Sequence, residues 1–169
     1  MIVRKAMVEI PDKENWDMIV FDVDGTLSDT EEIHRLAFNH SFKYFGLSWV
    51  WPKKEYRALL KISGGKERIK YYAKNHDRQN LLSDSLIHAI HDYKNRSYQS
   101  KIVEKNLKLR PGIHKLIESL YKSKVKIGIA TSSSLENIDK LLNNCIGNSW
   151  RDVFDEIETS DSSPKKKPD

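Results

Sequence analysis

The stretch MIVFDVDGT, residues 18–26, decides the fold of this chain. Its apolar residues follow one another without alternation, which is typical of a strand covered on both faces, and we predict a strand over residues 17–23. The apolar run ends at Asp22 and Asp24, which are followed by Gly25. Because ligands of open α/β sheets bind at the carboxyl ends of the strands, these carboxylates predict a functional site.

Two further buried strands are predicted, over residues 125–130 and 154–157, and helical patterns separate them. Between the first and second strands, apolar residues recur only at helical spacing. We therefore predict an α/β fold with a Rossmann-like parallel sheet and an inserted all-helical domain. The sheet domain comprises residues 1–30 and 106–169, and the helical domain comprises residues 31–105.

Local motifs predict where two of the later helices begin. The tripeptide Arg110-Pro111-Gly112 predicts a helix start, with Pro111 in the first turn. Ser133 and Glu136 fit a capping box, in which the serine hydroxyl accepts a bond from the helix backbone.

Composition excludes several classes of protein. The 169 residues carry a formal charge of +5, and Lys165–Lys167 with Asp169 supply two of these charges at one end of the chain. The remaining charge is that of an ordinary surface, and no basic groove or reading helix favours nucleic acid. No apolar stretch is long enough to span a membrane. The single cysteine, Cys145, excludes an internal disulfide and predicts a cytoplasmic protein; it is either a small buried apolar residue or a reactive thiol.

Polar residues follow all three predicted strands, and parallel strand ends meet at one edge of a sheet. The clusters are Asp22 with Asp24, Thr131 with Ser132, and Lys165–Lys167. Two close carboxylates call for a hard cation such as Mg²⁺, and a metal, a lysine and hydroxyl donors are what a phosphoryl group needs. One aspartate can attack phosphorus to form an acyl-phosphate, while the other moves protons to and from oxygen. A capped turn is the alternative interpretation of the Asp-x-Asp-Gly-Thr segment.

Three motifs resemble those of the haloacid dehalogenase (HAD) superfamily of hydrolases. They are FDVDGTL at residues 21–27, IGIAT at residues 127–131, and Lys-Pro-Asp at residues 167–169. The resemblance implies that Asp22 is the nucleophile and a Mg²⁺ ligand. It implies that Asp24 is the general acid and base, with its main-chain carbonyl on the metal. The other implied roles are phosphoryl binding by Thr131 and Ser132, and charge neutralisation by Lys167.

Within the superfamily, the chain resembles the β-phosphoglucomutase-like branch, and the CbbY proteins most of all. The segments that carry this likeness are residues 29–35, 37–39 and 64–69. The resemblance implies that the helical insertion is a cap over the active site and that four cap residues face the substrate: Glu31, His34, Tyr56 and Lys66. Glu31 could instead stabilise a helix N-terminus, and the histidine and tyrosine could be packing residues.

A fourth motif of the superfamily, an acidic pair that completes the Mg²⁺ site, has no counterpart before Asp169. We therefore expect a C-terminally incomplete sheet domain in a fragment of a longer enzyme, with an exposed apolar edge on the first strand, weak Mg²⁺ binding and slow turnover.

The function expected from the resemblance is a Mg²⁺-dependent phosphatase of small sugar phosphates or bisphosphates, with xylulose-1,5-bisphosphate as a candidate substrate. A phosphomutase and a non-catalytic protein that binds phosphorylated ligands are the alternatives. We expect a monomer whose partner is a small phosphorylated sugar.

Overall fold

A computed structural model describes residues 16–77 and 82–162. Its three-stranded parallel sheet has the order β1 (Met18–Phe21), β2 (Lys126–Ala130), β3 (Glu156–Glu158). All three strands were expected, but β3 begins two residues later than predicted. The reason lies at Asp155, where the backbone N–H donates to the Ile127 carbonyl and the carboxylate accepts the Ile127 N–H, both at 2.7 Å. These bonds hold Asp155 outside the regular ladder.

Six α-helices and one short 3₁₀ helix (Trp150–Val153) accompany the sheet in the described part of the chain. Four of the α-helices lie between β1 and β2: α1 (Glu31–Tyr44), α2 (Lys53–Leu59), α3 (Gly65–His76) and α4 (Asp84–Glu104). The other two are α5 (Ile113–Lys122), which precedes β2, and α6 (Leu135–Cys145), which follows it. The described residues between β1 and β2 hold no named strand, so the prediction of a helical insertion into an α/β fold is confirmed. Within residues 16–77 and 82–162, none of the helices has the length and apolar character needed to cross a bilayer.

Two apolar clusters stabilise the molecule. The first packs the sheet against α5, α6 and the adjoining parts of α1 and α4, and its members include Leu27, Ile127, Ile129 and Leu141. The second lies wholly within the helical insertion and is rich in aromatic rings. There the Trp51 ring centroid lies 4.8 Å from that of Phe38 and 4.7 Å from that of Phe42. Helices α1 and α4 contribute to both clusters, so they tie the insertion to the sheet.

Helices α5 and α6 begin within or directly after the predicted segments, but the positions of Pro111 and of the capping pair were wrong. Helix α5 begins after Gly112, whose φ of +90° is a left-handed conformation that glycine adopts freely, so Pro111 precedes the helix. Helix α6 has Ser134 as its N-cap residue, without a side-chain capping bond. The capping box of Ser133 and Glu136 therefore does not form, because the Ser133 hydroxyl bonds elsewhere.

Strand β1 lies at one end of the sheet formed by the described residues. Its Val20 is 56% exposed, a large fraction for a β-branched residue on a strand.

Cys145 is partly buried, and its thiol donates to the Leu107 carbonyl at 3.3 Å. Burial raises the pKa of this thiol, which favours the less reactive, protonated form.

Candidate active site

A cavity of about 800 Å³ lies where the carboxyl ends of the strands meet the helical insertion. Seven of the residues singled out from the sequence line it: Asp22, Asp24, Glu31, His34, Tyr56, Lys66 and Ser132. Thr131 is buried beside the cavity, and its Oγ1 accepts the backbone N–H of Ser133 at 3.2 Å. Lys167 lies outside the described residues. The structure therefore brings the two aspartates, one hydroxyl and the four insertion residues to a single cavity.

Three donors hold the carboxylate of Asp24. Its Oδ1 accepts bonds from Thr30 Oγ1 at 2.6 Å and His34 Nε2 at 3.0 Å. Its Oδ2 accepts a bond from Ser133 Oγ at 2.5 Å. Burial by itself raises the pKa of this carboxyl, but attraction to His34 and the bonds from all three donors outweigh it. The pKa of Asp24 therefore lies well below its usual range, and the group is a carboxylate in this arrangement.

Behind Asp24, His34 is bound to a buried lysine. Lys94 Nζ lies 2.8 Å from His34 Nδ1, and the imidazole stacks on Tyr98 with a centroid distance of 3.9 Å. Burial and the neighbouring Lys94 charge lower the pKa of His34 to about 4. Burial likewise lowers the pKa of Lys94 to about 7. At neutral pH His34 is therefore a neutral imidazole that accepts from Lys94 at Nδ1 and donates to Asp24 from Nε2.

Sequence reasoning missed Lys94, although a signal for it exists. The buried face of α4 carries Ile87, Ile90, Tyr98 and Ile102 at helical spacing, and Lys94 falls on that same face. A lysine within an apolar stripe is buried, and a buried lysine needs a partner. The periodicity could thus have placed Lys94 at a polar site.

The wall of the cavity that the insertion supplies comes from α1, α2, α3 and α4. Arg68 was also missed, and its guanidinium donates to the carbonyls of Leu59 at 3.0 Å and Ile62 at 3.1 Å. It lies over the Tyr56 ring, 5.5 Å from the centroid, and also reaches the Tyr56 hydroxyl at 3.4 Å. Burial and the nearby Asp24 charge raise the pKa of Glu31 at the start of α1. This wall therefore presents cationic and hydroxyl groups beside a carboxyl whose pKa is raised.

The loop after β2 is tied to the end of β3. Thr131 N–H donates to the Glu158 carbonyl, and Ser160 N–H donates to the Ser133 carbonyl, each at 3.0 Å. The first backbone N–H of α6, on Leu135, donates to the Asp161 carboxylate at 2.8 Å. An aspartate from a different loop thereby satisfies a helix end that has no capping bond from its own N-cap side chain.

The described residues contain no cluster of three or more side chains able to hold a metal ion. Asp22 and Asp24 supply the oxygen donors closest to the strand end. Both carboxylate oxygens of Asp24 accept hydrogen bonds, and the HAD resemblance implies that its main-chain carbonyl is the group that faces the metal. One carboxylate and one carbonyl fit Mg²⁺, which usually keeps several waters and completes its shell with substrate phosphate.

These features place the chain among known hydrolases. It belongs to the haloacid dehalogenase-like hydrolase family, whose sequence profile matches residues 19–169. The protein CbbY of Cereibacter sphaeroides is 39% identical over 152 residues, which cover 90% of this chain and 65% of CbbY. The chain thus spans about two thirds of the length of that relative.

A comparison with solved structures also finds a CbbY protein. The crystal structure of a CbbY point mutant from Rhodobacter sphaeroides in complex with xylulose-1,5-bisphosphate matches with a TM-score of 0.82 and 38% identity. The match covers 90% of this chain and 67% of that one. The β-phosphoglucomutase of Bacillus subtilis is more distant, at 30% identity over 73% of this chain and 53% of its own length.

Proposed function

We propose that this chain carries the nucleophile, the acid/base and the substrate-binding cap of a Mg²⁺-dependent phosphatase of small sugar phosphates or bisphosphates. The observation that carries this proposal is one cavity that is lined both by the two strand-end aspartates and by Lys66 and Arg68 of α3. The resemblance to a CbbY protein solved with xylulose-1,5-bisphosphate supports a bisphosphate substrate of that kind.

In the first step, an Asp22 oxygen attacks phosphorus and forms an acyl-phosphate. The bond between phosphorus and the ester oxygen breaks, its electron pair passes to that oxygen, and Asp24 donates a proton there. A nearby phosphate dianion raises the pKa of a carboxyl, so substrate binding favours the protonated form that this step needs. In the second step, Asp24 takes a proton from water, the water oxygen attacks phosphorus, and Asp22 leaves as a carboxylate.

The groups that hold the transferring phosphoryl group follow from the loop after β2. Ser132 lines the cavity next to the aspartates, and Thr131 anchors the same loop from its buried side. We assign the neutralising lysine to Lys167, which follows β3 in the sequence. Asp22 and the Asp24 carbonyl would hold Mg²⁺, which supplies charge neutralisation for the phosphoryl oxygens when bound.

The helical insertion, residues 31–105, acts in this proposal as a cap that selects the substrate. Glu31, Tyr56 and Lys66 line the cavity from the insertion, and Arg68 adds a second cation whose position two backbone carbonyls fix. Two cationic side chains on the wall that the insertion supplies suit a second phosphate on the same sugar. His34 lines the cavity too, but both of its ring nitrogens are engaged, which favours a role in holding Asp24.

The experiment that tests this function measures orthophosphate released from xylulose-1,5-bisphosphate in Mg²⁺ by the wild-type chain and by Asp22→Asn. The matched control is Asp29→Asn, which alters an exposed aspartate paired with Arg110 at 3.4 Å. We expect release by the wild type and the control, and none by Asp22→Asn. Equal release by all three chains, or release by none, would refute the proposal.

A phosphomutase is the second candidate, favoured by the similarity to the β-phosphoglucomutase of Bacillus subtilis. It would use the same aspartates but return the phosphoryl group to the sugar. Incubation with β-glucose 1-phosphate and a bisphosphate primer distinguishes the two functions. A mutase accumulates glucose 6-phosphate, whereas a phosphatase releases orthophosphate and needs no primer.

A further inference from the structure

Ser133 has an unusual place in this site, because its hydroxyl serves neither the helix that follows nor the loop backbone. The hydroxyl donates to Asp24 Oδ2 at 2.5 Å, across 109 positions of sequence. The two donors to the other carboxylate oxygen lie at the start of α1, where Thr30 is the N-cap residue and His34 is in the first turns of the helix. Ser133 is therefore the donor that reaches Asp24 from the loop after β2.

Two bonds hold the backbone of Ser133 within the loops that follow β2 and β3. Its N–H donates to Thr131 Oγ1 at 3.2 Å, and its carbonyl accepts the Ser160 N–H at 3.0 Å. His34, in contrast, lies on α1, which packs extensively on α4 of the insertion. The two oxygens of Asp24 are thus held by different segments of the chain: Oδ1 by Thr30 and His34 at the start of α1, and Oδ2 by Ser133 in the loop after β2.

From this geometry we propose that Ser133 is a positioning residue that aims the Asp24 carboxyl at the leaving oxygen. This proposal rests on the proposed function, in which Asp24 donates that proton. Without the Ser133 bond, Oδ2 has no partner in the loop after β2, and the carboxyl can rotate toward Thr30 and His34. Since proton transfer requires alignment within hydrogen-bond reach, this rotation slows only steps that need the proton.

A purely structural role of Ser133 would slow the hydrolysis of all phosphate esters equally, so a comparison of two leaving groups distinguishes the two roles. A sugar phosphate leaves as a basic alkoxide that needs a proton, whereas p-nitrophenyl phosphate leaves as a stable phenolate that needs none. The ratio kcat/KM reports the steps through phosphoryl transfer to Asp22, so it isolates the leaving-group step from the later hydrolysis. The comparison is made for Ser133→Ala, Ser133→Thr and the wild-type chain, each in Mg²⁺.

We expect Ser133→Ala to lower kcat/KM for the sugar phosphate at least tenfold more than for p-nitrophenyl phosphate. Ser133→Thr keeps a hydroxyl and should restore most of the difference. Ser100→Ala is the matched control, because it removes the hydroxyl of an exposed serine on α4 that does not line the cavity. Equal losses on both esters with Ser133→Ala would overturn the proposal, since they would indicate a phosphate ligand or a folding role.

A second measurement tests the contact without any turnover. Urea midpoints of Ser133→Ala, Asp24→Asn and the double variant form a cycle that reports coupling between the two side chains. We expect the shifts to be clearly non-additive. If the shifts in urea midpoint are additive, the positioning role is overturned even when the enzyme is active. If the two side chains are coupled but the chain hydrolyses neither ester, the proposed function is overturned and the contact between Ser133 and Asp24 is not.

Discussion

Because Lys94 is buried, we expect the free energy of unfolding of this protein to rise as the pH rises from neutral to alkaline. Its side chain is 4% exposed, and burial lowers its pKa from 10.5 in the unfolded chain to about 7 in the folded one. Between these two values the unfolded state binds more protons than the folded state, so the free energy of unfolding rises with pH. Each unit of pKa difference is worth about 1.4 kcal/mol, which gives a rise on the order of 4 kcal/mol between pH 7 and pH 10.

The assay is urea denaturation of the wild type and Lys94→Met at several pH values across this window. Subtracting the two curves removes the contribution of other titrating groups, and the difference should grow with pH in favour of the wild type. Lys101→Met is the matched control, because it makes the same change at a half-buried position of α4. Its curve should run parallel to that of the wild type. Parallel curves for Lys94→Met as well would refute the buried environment that the structure gives this lysine.

Three further predictions concern the acid/base, the insertion core and the metal. Asp24→Asn should lower turnover of a sugar phosphate by roughly 10²–10⁴-fold, measured as orthophosphate release, because it removes proton transfer. Phe38→Ala should lower the free energy of unfolding, measured by urea denaturation, by about 3–5 kcal/mol. Tyr121→Ala, which changes a 73% exposed side chain, should change it by less than about 0.5 kcal/mol. In calorimetric titration Asp22→Ala should weaken Mg²⁺ binding at least tenfold, and Asp24→Asn should weaken it less because it keeps its main-chain carbonyl. Equal losses of affinity in the two variants would contradict that ligand assignment.

The sequence predicted the sheet and the place of the aspartates for a simple physical reason. A buried parallel strand needs an unbroken apolar run, and the first polar residues after it must lie at the sheet edge. Strand β1 and Asp22 therefore follow from local pattern alone. The helical spacing of apolar residues in the insertion likewise predicts helices without any knowledge of their partners.

The contacts around Asp24 could not be predicted in the same way. The sequence of Ser133 and Glu136 satisfies a capping box, yet the hydroxyl bonds to a carboxylate far away in sequence, and a helix start is capped from another loop instead. Local motifs describe what a side chain can do, while tertiary packing decides which partner it reaches. Lys94 is the intermediate case, since its burial follows from helical period but its bond to His34 depends on how α1 and α4 pack.

The most direct test of the account is to locate the phosphoryl group during turnover. The chain is mixed with a sugar phosphate labelled in its phosphoryl group, quenched in acid within the first turnover, digested, and examined by mass spectrometry. The account predicts label on the peptide that contains Asp22, and no label in Asp22→Asn. Release of labelled orthophosphate by the wild type without any labelled Asp22 peptide, or undiminished release by Asp22→Asn, would contradict it.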